Sequence, residues 1–209
     1  MVSAQGAGGA PIARSPVCPV GPTAVVDGWE VSTLHSGAAL TISDQTPLSK
    51  VLVRADEAAL IDGVGFGRSS RREDGVLVVG SGPGEWLLIG PVGQSGTIAS
   101  ALAGSLPDFA TVVDLTHGRA LLRLTGDDGP QVLAKVCAID LRPDVTPNGS
   151  AFRSAVAELV TDVVRDDLGD GTRSYLLHCE RSSGQHLFDS LVDAGAEFKL
   201  EIDGFSTSA

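Results

Sequence analysis

The chain has 209 residues, 43% of them hydrophobic, enough to bury a core as one domain or two small fused lobes. A formal net charge of −11, without any run of lysines or arginines, excludes nucleic acid and an anionic membrane as main partners, because both select clustered positive charge. No apolar run is long enough to span a bilayer and the start lacks the apolar segment of a secretory signal, so a cytoplasmic protein without membrane partner is expected.

Residues 1–22 are rich in Gly, Ala, Ser and Pro and bury too little apolar area to offset their ordering entropy, so they read as a flexible arm, free or extended on a partner. The domain proper is expected over 23–198, as one unit or two lobes divided near 110. The tail from Lys199 is too short and polar to form an element of its own, although Ile202 and Phe205 can dock.

Along that domain, "TAVVDGWEVSTL" and "KVLVRAD" read as strands by their β-branched content. "GVLVVGSGPGEWLLIG" gives two apolar runs around a Gly/Pro turn. Ile98, Leu102 and Leu106 recur every four residues, predicting a helix stopped at Pro107. "TVVDL" and "RALLRLTG" are strands. "DDGPQVLAKVCAID" is a helix capped by Asp127 or Asp128, with Pro130 in its first turn and Val132, Leu133, Val136 and Cys137 inward. "AFRSAVAELVTDVVRD" and "TRSYLLHCERSS" follow as strands, and "SSGQHLFDSLVDAG" as the last helix. The order β-β-α-β then β-α-β-β-α is that of an α+β fold with ferredoxin-like β-α-β units, and its halves echo each other weakly.

Gly80-x-Gly82 after a strand meets half of the dinucleotide fingerprint. Glu85 stands where the third small residue belongs, and its carboxylate repels phosphate. Only "WLLI" separates it from Gly90-Pro91, too short for the helix that would hold a pyrophosphate. A strand–turn–strand hairpin is expected instead.

The motifs "GPGEWLL", "DLTHGR" and "CAIDL" resemble those of the gamma subunit of heterotetrameric sarcosine oxidase, over about residues 40–195. Gly82, Pro83, Glu85, Trp86, Leu87 and Leu88 match a Gly-Pro-Asp-Glu-Trp-Leu-Leu motif. Asp114, Thr116, His117, Gly118 and Arg119 match Asp-[Leu/Val]-[Ser/Thr]-His-Gly-Arg, and Cys137, Ala138, Asp140 and Leu141 match Cys-Ala-[Leu/Ile]-Asp-Leu. Gly84, Val136 and the run Thr146–Gly149 depart from the family's usual residues. The second half is also similar to the folate-binding domain of the glycine cleavage aminomethyltransferase. Aligning Arg165 with that family's basic residue puts Leu159 and Val160 where its catalytic acids stand, with Glu158 and Asp162 nearby.

The resemblance implies a non-catalytic accessory subunit of a flavoenzyme that oxidatively demethylates sarcosine or a similar N-methyl amine, giving peroxide and a one-carbon unit for tetrahydrofolate. It implies larger alpha and beta flavoprotein partners and a small delta chain. Those partners would carry FAD, FMN, NAD, tetrahydrofolate and zinc, with no cofactor or metal in this chain. The alternative is a stand-alone folate-binding one-carbon transferase, whose mark would be a pocket combining Arg119 with Glu158 or Asp162.

Four residues are singled out as subunit-contact or turn-organising candidates: Trp86, Asp114, His117 and Arg119. Trp86 is either a core aromatic or a flat contact anchor. Asp114, Thr116 and His117 suit a hydrogen-bonded turn at Gly118, and no second group for base catalysis by His117 is evident. Cys18, Cys137 and Cys179 lack metal or disulfide spacing and read as reduced thiols, Cys137 as a small hydrophobe. His178 and Cys179 must face opposite sides of a strand, and "VVRDDLGDGTR" reads as a solvated turn.

Overall fold

The computed structural model describes residues 11–206 except 103, 105, 107 and 108. A three-stranded sheet is built from β1 (Ala13–Arg14), β3 (Trp29–Ser32) and β2 (Thr23–Val26). "TAVVDGWEVSTL" is thus a hairpin and not one strand. Asp27 and Gly28 turn it with φ of 48° and 80°, the mirror-image turn that matches the twist of its strands.

Two larger sheets follow. One holds β6 (Ser69–Arg71), β7 (Leu77–Gly82), β8 (Glu85–Gly90), β5 (Ser49–Arg54) and β9 (Thr111–Asp114), side by side in that order. The other runs β11 (Ala151–Val156), β12 (Leu159–Arg165), β13 (Ser174–Glu180), β10 (Arg119–Thr125), β4 (Thr41–Asp44) and β14 (Glu201–Asp203). Leu77, Val79, Leu87, Leu121, Val164 and Leu176 pack between these sheets, while the alternate side chains on each strand face outward to helices, as the two-residue period requires. Helix α1 (Ser95–Leu102) covers Val51, Val78, Trp86 and Leu88 of the first sheet. Helices α2 (Gly129–Ala134) and α3 (Gly184–Gly195) cover Leu122, Leu124, Tyr175 and Leu177 of the second. The architecture is α+β, dominated by its sheets.

The halves share one plan. In each, a first strand (β5 or β10) pairs antiparallel with the last strand of a three-stranded meander (β6–β8 or β11–β13), and a helix follows. Each strand preceding a half is exchanged: β4 runs into β5 but pairs with β10, and β9 runs into β10 but pairs with β5. The weak sequence echo is therefore a real repeat of topology.

Several expectations need correction. Residues 11–20 lie on this chain: β1 pairs with β3, Val17 is 2% exposed in the core, and Cys18 N donates to Gln185 Oε1 at 2.6 Å. Residues 1–10 of the expected arm lie outside the described residues. The tail adds β14 parallel to β4, with Ile202 and Phe205 docked against the cores. "AFRSAVAELVTDVVRD" folds as the β11–β12 hairpin around Ala157 and Glu158, both at positive φ. Helix α1 ends at Leu102, and the expected stop at Pro107 falls outside the described residues. Asp128 stands at the start of α2 without a side-chain capping bond, and Pro130 occupies the first turn as expected. The Gly80-x-Gly82 stretch is the β7–β8 hairpin. A Cβ on Gly80 would collide with the Gly65 carbonyl, and Gly80 exchanges backbone bonds with Gly67 and Arg68 there; the glycine serves a close crossing of chain, not a phosphate. No helix of the described residues is long and apolar enough to cross a membrane.

Candidate functional site

The two crossovers between the sheets, Asp44–Ser49 and Asp114–Arg119, hold the motif residues and mirror each other. Asp44 Oδ1 accepts from Thr46 N at 3.0 Å, and Asp114 Oδ1 from Thr116 N at 2.8 Å. Thr46 Oγ1 then accepts from Leu121 N, and Thr116 Oγ1 from Lys50 N, each at 3.1 Å. Gln45 N donates to Leu121 O and Leu115 N to Lys50 O, both at 2.8 Å. Each Asp-x-Thr thus bends its own strand with the carboxylate and caps the other half's first strand with the hydroxyl.

Between the crossovers Lys50 is fully buried, its Nζ donating to Thr46 O and Leu48 O at 2.7 Å. Burial pushes its pKa down to about 7, against the attraction of Asp44 and Asp114. Burial likewise raises the Asp44 carboxyl, outweighing hydrogen bonds from Ser15 and Thr46. At Asp114 the balance reverses. Desolvation acts to raise it, but hydrogen bonds from Thr116 and Ser95 and the nearby His117 together hold it below the usual carboxylate range.

Asp114 is exposed and lines a cleft of about 520 Å³ with Asp27, Trp29, Ser49, Ser95 and His117. The His117 ring stacks on buried Trp29, centroids 4.8 Å apart and planes 9° from parallel. Arg119 points away from this cleft to Glu180, 2.8 Å distant. The fourth candidate is elsewhere. Trp86 is 1% exposed in the core beneath α1, and its Nε1 donates to Val64 O at 2.7 Å. Of its two expected roles the core one holds, and it has no surface to offer a partner.

Toward the far side of the sandwich, ion pairs join the sheets through Arg71, Arg123 and Arg153, none of which the sequence reading singled out. Asp162 on β12 receives Arg153 Nε at 2.7 Å, and Arg153 reaches Glu85 on β8 at 3.1 Å. His178, opposite Asp162 on β13, is 4% exposed. Its Nε2 lies 3.3 Å from Asp162 Oδ2 without hydrogen-bond alignment, and its Nδ1 has no partner. Burial lowers its pKa to about 4, against the pull of Asp162. Elsewhere Asp166 is shared by Arg71 of β6 at 2.6 Å and buried Arg123 of β10 at 2.9 Å. The "VVRDDLGDGTR" stretch is therefore anchored through Asp166 rather than wholly solvated, Asp166 being 95 and 43 positions from these arginines.

The residues that a folate site here would need are directed apart. Glu158 is exposed at the tip of the β11–β12 hairpin, Asp162 is held by Arg153, and Arg119 by Glu180. Cys179 faces the helix-covered core, on the side opposite His178, and burial raises its thiol to about 11; Cys137 is buried in the same core. No three His, Cys, Asp or Glu of the described residues are placed to hold a metal.

A model of the "Sarcosine oxidase, gamma subunit family" matches residues 75–197. The chain is 31% identical over 151 residues to sarcosine oxidase subunit gamma of Corynebacterium sp. (strain P-1), covering 69% of this chain and 71% of the relative. It is 28% identical over 167 residues to the same subunit of Arthrobacter sp., covering 76% and 79%. A chain of heterotetrameric sarcosine oxidase from Corynebacterium sp. U-96, in complex with pyrrole 2-carboxylate, superposes with a TM-score of 0.66 at 26% identity, covering 79% of this chain and 89% of that one. The glycine cleavage system aminomethyltransferase T from Bartonella henselae superposes at 0.67 with 14% identity, over 88% of this chain but 55% of that protein, a likeness of fold alone. With the fold, the crossover motifs and these matches in agreement, the chain belongs to the sarcosine oxidase gamma subunit family.

Proposed function

We propose that the chain is an accessory subunit of a heterotetrameric oxidase that removes the methyl group of sarcosine or a similar N-methyl amine. In this reading larger alpha and beta partners carry FAD, FMN, NAD and the tetrahydrofolate site, a small delta chain carries zinc, and the assembly works in the cytoplasm. Flavin in the partners takes the hydride, oxygen becomes peroxide, and the one-carbon unit passes to tetrahydrofolate. This chain contributes a rigid surface.

The observation that carries the reading is its match to gamma subunits across most of its own length and theirs. The interior adds support. Asp162 and Asp166, the carboxylates that join the sheets, are held by guanidinium groups, and a carboxylate so held is a poor general base. In this reading Asp114 organises the crossover turn, Arg119 steadies the strand that follows through Glu180, and Asp114 and His117 face a partner across the cleft.

Purification of the tagged chain from cells that also make the candidate partners tests this. The expected result is a yellow complex, with flavoprotein-sized chains, that oxidises sarcosine or a close analogue. A colourless chain recovered alone, or one that binds tetrahydrofolate by itself, overturns it.

A further inference from the structure

Strand β9 is an edge. Among the described residues nothing pairs with its far side, and Thr111, Val113 and Asp114 are exposed, Val113 by 40%. Its counterpart in the other half, β4, is not an edge, because β14 lies parallel beside it, with Glu201 N donating to Leu40 O. The two strands offer the same groups. Backbone direction alternates along a strand, and the Leu115 amide points at β5 as the Gln45 amide points at β10. The N–H and C=O of Val112 therefore face the open side of β9, as those of Ile42 face β14.

The surroundings correspond as well. Past β14 the chain continues to Phe205 beside Asp44, and with Val17 it leaves a cavity of only about 20 Å³ there. At Asp114, the matching position, the cleft is about 520 Å³ and holds a second carboxylate, Asp27.

We infer that an extended segment of a partner subunit adds to β9 as a parallel strand and places a Lys or Arg just beyond that strand in the Asp27–Asp114 cleft. The inference rests on the subunit reading above. Main-chain bonds to Val112 supply the attachment and the carboxylates select a cation, as in other cases of strand addition. A second copy of this chain fits poorly. Two copies each of net charge −11 repel, and two β9 strands related by a two-fold axis pair antiparallel, unlike β14 on β4.

Residue-resolved hydrogen exchange on the full chain, alone and in the assembled oxidase, tests it. The Val112 amide exchanges fast in the chain alone and is slowed by about 100-fold or more on assembly, while that of Val113, turned to β5, is slow in both. Fast exchange at Val112 in the intact complex overturns the inference and leaves the subunit reading standing. Protection in the chain alone that grows with concentration overturns it in favour of self-association. A chain that joins no partner removes the subunit reading and the inference with it. For the cation, Asp27→Asn suits the positive φ at that turn and should weaken assembly by about threefold to tenfold, with a shallower salt dependence. Unchanged affinity removes the basic residue from the proposed segment.

Discussion

His178 and Trp86 are both buried with a polar atom inside, but the structure treats the two atoms differently. The Trp86 N–H has the Val64 carbonyl, so its ring adds apolar area without an orphaned donor. Trp86→Ala should destabilise the isolated chain by about 3–5 kcal/mol in urea unfolding, from lost transfer energy and the cavity left under α1. A cost below about 1 kcal/mol would contradict its placement. The His178 ring has no aligned partner and stays neutral, facing Asp162, Arg119, Lys50 and Arg153. Unfolded, it takes up a proton near its ordinary 6.5; folded, only near 4. The unfolded state therefore binds more protons across that window, so stability is intact above 6.5 and falls as pH drops toward 4, by up to about 3 kcal/mol for this group. His178→Leu should remove that share of the slope, seen as a flatter plot of denaturant midpoint against pH between 6.5 and 4. An unchanged slope would mean that the ring is charged or solvated in the fold.

Elements whose signals are local were legible in the sequence, and those defined by distant partners were not. The β7–β8 hairpin follows from two apolar runs around Pro83-Gly84, and α3 from its apolar stripe. Strand β4 (four residues) and β14 (three residues) are too short for a periodic pattern, and only their pairing with each other and with β10 makes them strands. The β11–β12 turn uses Ala157-Glu158, without the Gly or Asn that marks positive φ, so its two strands read as one. The crossovers stand between these cases. Asp-x-Thr occurs at both, at Asp44 and Asp114, but also at Asp144 and Asp170, so the pattern alone does not mark the repeat; which pairs stand at the crossovers, and the hydroxyls' destinations, Leu121 N and Lys50 N, needed the fold. If the crossovers are equivalent, Thr46→Val and Thr116→Val should each cost about 1–3 kcal/mol, since each leaves one buried backbone amide unpaired in an unchanged volume. Equilibrium unfolding of both variants checks this, and a near-neutral result at either position would break the equivalence.

At the scale of the whole molecule the issue is whether the sheets are two lobes or one unit. They are joined by an apolar layer, two covalent crossovers, and ion pairs that run from one sheet to the other, Arg71–Asp166–Arg123 and Glu85–Arg153–Asp162. These bridges differ in environment. Arg123 is buried, so removing the charge of Asp166 leaves a guanidinium without compensation in a low-dielectric interior, whereas Arg153 is partly exposed and water replaces part of what Glu85 supplies. Asp166→Asn should cost about 3–5 kcal/mol and Glu85→Gln about 0–1 kcal/mol. Because the layer between the sheets is shared, the loss at Asp166 should shift the entire molecule. The fluorescence of Trp86 and the near-ultraviolet absorbance of Tyr175, the single tyrosine, which stand in the two larger sheets, should move together to lower denaturant as a single transition. Two separated transitions, with only one displaced by Asp166→Asn, would show lobes that fold independently and would leave the apolar layer too weak to couple them.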